Sequence, residues 1–372
     1  MVDKKIEKSQ HPNQRLKPII LHEAPKVLLL GNGLNRLCDL CSWEDLVSYL
    51  AKKSDIIDTN KFDLFKNLSL LIQIYALGTE NENFNEIFKE RMCEMDNKII
   101  NLMTKTDESV RCKLNIYSDL CKLNFQAILT TNYDFLVEMF LQKEKESQKV
   151  EIKTDYGRKN VTSNKLKQSL YAFKYITSGK KNNSKYLNEP YVWHIHGRKD
   201  NLKSIIFDLY SYGTNLSVLQ SYGYHFIKKY MNCIKKEQNN VGKVIEFNPE
   251  SWLDYFFLGD VYIVGLGLGQ EEFELKWLLA YRNRIQSNIK KSVEKQYQSE
   301  VKLNFGKVYF MDTYPVNIEI SDEKDDKKLI NQKQLELEIL GCEYTNFCKN
   351  NDNNTYENGY REILKTLKNE IK

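Results

Sequence analysis

Ile128-Leu129-Thr130-Thr131-Asn132-Tyr133-Asp134 is a short apolar run that ends in hydroxyl, amide and carboxylate side chains. Three other stretches have the same shape. Val27 to Leu30 runs into Gly31-Asn32-Gly33-Leu34-Asn35, Val192-Trp193-His194-Ile195 into His196-Gly197, and Val261 to Val264 into Gly265-Leu266-Gly267-Leu268. A buried parallel strand reads as a continuous apolar run, and in an open α/β sheet its C-terminal tip faces the ligand crevice. Four such tips predict an α/β fold, a Rossmann-like doubly wound parallel sheet built around a nucleotide site.

The segments between the tips fit that sheet. Ser42-Trp43-Glu44-Asp45 reads as a helix start, with Ser42 as N-cap and two carboxylates in the first turn. From 61 to 124 apolar residues recur at helical spacing, from Phe62 and Phe65 to Leu120 and Leu123. That stretch is longer than one crossover and predicts a helical insertion. Residues 143–188 are rich in Lys, Ser and Asn, with one apolar patch from Leu170 to Ile176, and read as a mobile insertion carrying a short strand or hairpin. Strands are expected at 191–195, 204–208, 260–265 and 307–311, with helices at 215–236, 249–258 and 271–286. A charged loop at 321–328 and two helices, 332–349 and 356–370, complete the reading. The domain organisation expected is a flexible N-terminal segment over 1–20, a nucleotide-binding domain over 21–315 and a C-terminal helical extension over 316–372.

The 372 residues, 41% of them hydrophobic and 28% charged, describe a soluble globular protein with ample material for a core. No apolar stretch approaches the ~18–20 residues a membrane helix needs. Met1 to Pro18 lacks the apolar region of a secretory signal, and with eight cysteines this predicts reduced thiols in a cytoplasmic protein. Basic and acidic residues, 55 and 50, are interspersed and leave a net charge of only +5, so no direct nucleic-acid binding is expected. Cys38 and Cys41 have the spacing of half a zinc site, but a structural zinc needs four ligands and the other cysteines are scattered. No metal is expected.

Gly31-Asn32-Gly33 is in outline a turn that lets backbone N–H groups approach a phosphate, although an ordinary strand-to-helix turn fits the same residues. His194 and His196 stand two apart, which on a strand points both to one face. His196, nearer the tip and opposite Asn132, is the best candidate for a general base. Asn132 and Asp134 also suit a helix cap, and Asp134 can cap the helix and fix Asn132 by hydrogen bonding.

The order of these motifs resembles the sirtuin superfamily of NAD-consuming proteins. In that family the glycine turn holds the NAD pyrophosphate, the asparagine and histidine act at the nicotinamide ribose, and the last glycine motif contacts phosphate and ribose. The resemblance implies catalytic roles for Asn132 and His196. It implies NAD contacts from Gly31, Asn32, Gly33, Asn35, Thr130, Asp134, Gly265 and Gly267, and from Asp312 at the adenosine ribose. The four-cysteine zinc module of the deacetylases is missing, since only Cys233 lies between the third and fourth motifs, and Leu266-Gly267 replaces hydroxyl residues. What remains is similar to divergent bacterial sirtuin-like domains. Those domains share the G-N-G-x-N and T-T-N-Y-D patterns and a glycine-leucine run followed by acidic residues, here Gly267 to Phe273, and by Trp277-Leu278-Leu279. Such domains resemble NAD hydrolases that deplete NAD in antiphage defence (abortive infection). The implication is NAD as substrate, no metal, and restraint by homo-oligomerisation or by a partner, for which a HerA-type ATPase is a family analogy. An NAD-dependent protein deacylase and a non-catalytic NAD or ADP-ribose sensor remain open. So does an ordinary Rossmann oxidoreductase, although Asp55 is poorly placed for its ribose contact.

Overall fold

The computed structural model describes residues 19–20, 23–54, 61–80, 83–104, 107–142, 147–153, 171–177, 190–207, 209–237, 247–269, 272–297, 301–313, 323–348 and 355–371. Its strands are β1 (Ile19–Ile20), β2 (Lys26–Leu30), β3 (Ala127–Thr130), β4 (Ser147–Lys153) and β5 (Tyr171–Thr177), then β6 (Tyr191–His194), β7 (Asp260–Val264), β8 (Val301–Lys302), β9 (Val308–Asp312) and β10 (Cys342–Asn346). The helices are α1 (Gly33–Leu37), α2 (Trp43–Lys53), α3 (Phe62–Lys66), α4 (Leu70–Glu80), α5 (Phe84–Thr104) and α6 (Glu108–Cys121). They continue with α7 (Leu136–Gln142), α8 (Leu209–Glu237), α9 (Trp252–Leu258), α10 (Phe273–Tyr297), α11 (Glu323–Ile339) and α12 (Thr355–Glu370).

The main sheet has the order β10-β9-β7-β2-β3-β6-β5-β4, and the first six strands run parallel. From β2 the chain winds outward through β3 to β6, then returns to the middle and winds the other way through β7, β9 and β10. The reversal falls between β2 and β7, whose tips lead into Gly31 and Gly265. Six parallel strands ordered this way have the topology of dinucleotide-binding sheets, which take their ligand at the point of reversal. The doubly wound fold expected from the four strand tips is the fold observed.

Both faces of the sheet are buried, and strict alternation divides them. Val27, Leu29, Ala127, Leu129, Trp193, Val261 and Ile263 enter a core shared with α8, α9 and α10. Leu28, Leu30, Ile128, Val192, Tyr262 and Val264 enter a second core with α6, α7 and α12. A third cluster joins α2, α4 and α5 to Tyr133, Ile205 and Phe207, so the helical insertion packs over the tip of β3. Ser42 caps α2 as expected, in a reciprocal capping box with Asp45. Leu64, Leu68, Ile72 and Tyr75 of the inserted layer are exposed.

Three expected elements differ. Of the strand expected over 204–208, the described residues 204–207 form none. Ile206 donates to the His196 carbonyl at 2.8 Å while Ile205 and Phe207 pack into the third cluster, so burial without a sheet partner mimicked a strand. The charged segment 321–328 is helical from Glu323 as the start of α11. The helix expected over 332–349 stops at Ile339, Gly341 turns the chain with φ +82°, and β10 adds the outermost parallel strand. Within 143–188, β4 and β5 form an antiparallel hairpin on the β6 edge. The rest of that segment lies outside the described residues, as do residues 1–18. Among the described residues no helix is long and apolar enough to cross a membrane.

Candidate functional site

A cavity of about 510 Å³ opens at the switch point, within the range of ligand and cofactor pockets. Its walls bring together Asn32 and Gly33 from the first turn, Gly265 and Gly267 from the loop after β7, and Asp312 at the end of β9. Its walls also include Arg36, Lys333, Tyr356 and Tyr360, cations and aromatic faces that the sequence reading did not nominate, together with the carboxylates of Glu44, Glu272 and Glu336. Arg36 lies on α1 directly after the first turn, whereas Lys333, Tyr356 and Tyr360 lie on α11 and α12, outside the four strand-tip motifs, so nothing local marked them. The Asp312 carboxylate is already engaged, accepting from Lys333 Nζ at 2.6 Å, from Tyr344 at 3.1 Å and from the Thr313 N–H at 2.9 Å.

The glycines divide into two kinds. Gly31 donates its N–H to the Val264 carbonyl at 3.0 Å, and Gly33 donates to the Gly265 carbonyl at 2.7 Å. A Cβ on Gly31 would stand 2.4 Å from the Gly265 oxygen, and one on Gly33 2.8 Å from the Gly265 Cα. These two residues let the tips of β2 and β7 touch, and their N–H groups are spent doing so. Gly267 lines the cavity, and a Cβ there would meet nothing within 4 Å. Gly31→Ala is therefore expected to destabilise the protein by roughly 1–3 kcal/mol through overpacking. Gly267→Ala should leave stability within about 0.5 kcal/mol. Urea unfolding distinguishes the two, and equal stability of both variants would refute the assignment.

A second, small cavity of about 30 Å³ lies at Thr131, Asn132 and Asp134. It shares Asn32, Ser42 and Trp43 as walls with the large one, and its volume suffices for a water molecule. Asn132 is held here by a chain of amides. Its backbone N–H donates to Thr130 Oγ1 at 3.1 Å. Its Nδ2 lies 3.4 Å from both the Gly31 carbonyl and Asn35 Oδ1. Asn35 Nδ2 in turn donates to Asp134 Oδ2 at 2.6 Å, while Asp134 Oδ1 accepts the Leu136 N–H at 2.9 Å. Asp134 thus caps α7 as expected, but fixes Asn132 through Asn35. Asn35 is buried as that bridge and lines neither cavity. Because Asp134 accepts, the chain orients each amide in turn and leaves Asn132 Oδ1 to accept from a water or hydroxyl. Burial raises the Asp134 pKa above its ordinary value, opposed by the Leu136 and Asn35 hydrogen bonds.

The two histidines part company. Strand β6 ends at His194, so the alternation that would keep both on one face stops there. His194 Nδ1 donates to the Asn132 carbonyl at 2.7 Å and Nε2 lies 2.7 Å from Glu138 Oε1. Burial works against its charge, yet the Glu138 carboxylate and the hydrogen bonds outweigh it and raise the His194 pKa. His194 is thus the histidine that touches Asn132, and it acts on that residue's backbone. His196 is buried on the other side, edge-on to Tyr212 with ring centroids 5.6 Å apart, and lines neither cavity. The pairing of the two strands ends at Thr130↔His194 and does not extend to Asn132 and His196. Cys38 is a buried core residue and Cys41 contacts Arg91, and among the described residues no group of three metal-ligating side chains occurs.

No protein-family model and no curated protein matches the chain. The fold and the crevice define its class by themselves: a doubly wound α/β protein with a ligand-sized cavity at the switch point of a dinucleotide-type sheet.

Proposed function

We propose that the chain binds NAD across the switch-point crevice and hydrolyses its nicotinamide–ribose bond, acting as an NAD glycohydrolase that depletes the dinucleotide in antiphage defence. The observation that carries this reading is the water-sized chamber at Asn132 adjoining a dinucleotide-sized cavity. Arg36 offers positive charge to the diphosphate, Lys333 being paired with Asp312, and Tyr356 and Tyr360 offer aromatic faces to a base. Cleavage passes through an oxocarbenium-like state, as in other glycoside hydrolyses, and the nicotinamide leaves neutral without an acid. The protein's task is then to hold the ribose and aim a water at C1′. Asn132 Oδ1, oriented by Asn35 and Asp134, accepts a hydrogen bond from that water; His196 lines neither cavity, so the proton reaches it through an intervening water and not directly.

One observation favours a second reading, a non-catalytic NAD or ADP-ribose sensor: His196 lines neither cavity. Incubating the purified chain with NAD, without any acylated peptide, and separating the products by chromatography decides between them. Hydrolysis yields nicotinamide and ADP-ribose in equal amounts. Binding without products supports the sensor, and turnover only on adding an acetyl-lysine peptide supports a deacylase.

A further inference from the structure

Three buried polar side chains meet where the tip of β6 abuts α8 and α10, on the other face of the sheet from Glu138. His196 and Glu274 are each 3% exposed and Asn215 is 4% exposed. Asn215 Nδ2 donates to Glu274 Oε1, and His196 Nε2 lies 3.9 Å from Glu274 Oε2. Four atoms of this group, both His196 nitrogens, Glu274 Oε2 and Asn215 Oδ1, make no hydrogen bond to the described protein. Buried polar atoms left unpaired cost free energy and are rare in cores. Four of them converging at the C-terminal edge of a parallel sheet mark a place where a polar group is handled.

We infer that Glu274 is the proton reservoir of His196, with Asn215 fixing the orientation of its carboxyl. The role in catalysis rests on the hydrolase reading above, whereas the pairing of the two side chains does not. In the reaction, the water oxygen bonds to C1′ as the C1′–N bond breaks and its electron pair passes to the nicotinamide nitrogen. The attacking water's proton passes through an intervening water to His196, which lines neither cavity, and on to the ionised Glu274, which later releases it to solvent. Burial holds the His196 pKa down to about 4 and pushes Glu274 up to about 8, the Asn215 hydrogen bond opposing the latter. At neutral pH the pair therefore carries one proton, on Glu274, and above about pH 8 it becomes a base. Tyr212 from α8 is the titratable neighbour against His196. Among the described residues no charged side chain faces the pair closely enough to shift either group, and His194 is turned to Glu138.

The test is Glu274→Gln in the full chain, with kcat and KM for NAD measured from about pH 5 to about pH 9, alongside NMR titration of the His196 ring. Wild-type kcat should climb about tenfold per pH unit and level off above about pH 8. The Gln variant should lose at least about tenfold in kcat at the plateau, keep KM within about twofold and show no inflection. Glu274→Asp should restore the inflection, and it carries the same comparison if circular dichroism shows the Gln variant unfolded. A wild-type profile in the Gln variant overturns the inference. If the wild type itself releases no nicotinamide, the hydrolase reading fails and the NMR decides the pairing alone. A step in the His196 ring shifts near pH 8 that Glu274→Gln abolishes upholds the pair, and shifts unchanged by the substitution overturn it.

Discussion

Nicotinamide release by an Asn132→Ala chain is expected to fall by a factor of about 10²–10³, with a thermal midpoint within a few degrees of wild type. The disparity follows from where the side chain spends its hydrogen bonds. Among the described residues Asn132 Nδ2 makes two long contacts, both at 3.4 Å, and its side chain also neighbours the buried Tyr117 hydroxyl, so truncation removes little folding energy. Its oxygen is the acceptor that the Asp134–Asn35 chain leaves for a water or hydroxyl, and in the proposed mechanism that oxygen acts when the ribose is attacked. The loss should therefore appear in kcat while NAD affinity by calorimetry is nearly unchanged, the mark of an interaction made chiefly in the transition state. Asn35→Ala tests the orienting chain separately. It keeps the Asn132 amide but frees it to rotate, and a reduction of about tenfold is expected. Undiminished turnover in Asn132→Ala at equal protein concentration would remove Asn132 from the mechanism.

The strands that form the switch point were legible because each is buried on both faces and so reads as an unbroken apolar run. The sixth was not. Cys342-Glu343-Tyr344-Thr345-Asn346 is an edge strand whose outward residues are polar, and it follows a helix of similar composition, so no local signal separates it from a continuing helix. Ile205-Ile206-Phe207 deceived in the opposite sense, being buried by the helical layer with no strand beside it. The amide chain at Asn132 was partly legible, since strand-tip logic placed Asn132, Asp134 and Asn35 near one another. The histidine partners were not. Glu138 lies 56 residues from His194 and Asn215 lies 59 from Glu274, and an isolated carboxylate on a helix reads as a solvated face. Tertiary packing chose those partners, and a single sequence carries no trace of that choice.

Arg282→Met is expected to cost about 3–5 kcal/mol of stability, a large share of the roughly 5–15 kcal/mol typical of a domain. Arg282 is 1% exposed on α10, and no carboxylate hydrogen-bonds to it. Its guanidinium instead donates to three carbonyls, those of Phe256, of Gly259 at 2.9 Å and of Gly306. Phe256 and Gly259 lie at the C-terminal end of α9, where backbone oxygens lack intrahelical donors and a cation meets the negative end of the dipole. Gly306 sits just before β9, so one side chain ties α10 and α9 to the chain entering two strands beside the crevice. Burial lowers its pKa to about 10, which still leaves it charged at neutral pH. Methionine fills most of the volume but leaves three buried acceptors without donors. Arg282→Lys separates charge from geometry: an ammonium donates from a single atom and cannot span the three oxygens, so most of the loss should persist. Urea unfolding should show the midpoint falling with an unchanged slope in both variants. A lysine variant as stable as wild type would show that the charge, not the fork, holds the clasp, and a methionine variant within about 1 kcal/mol of wild type would remove the clasp altogether.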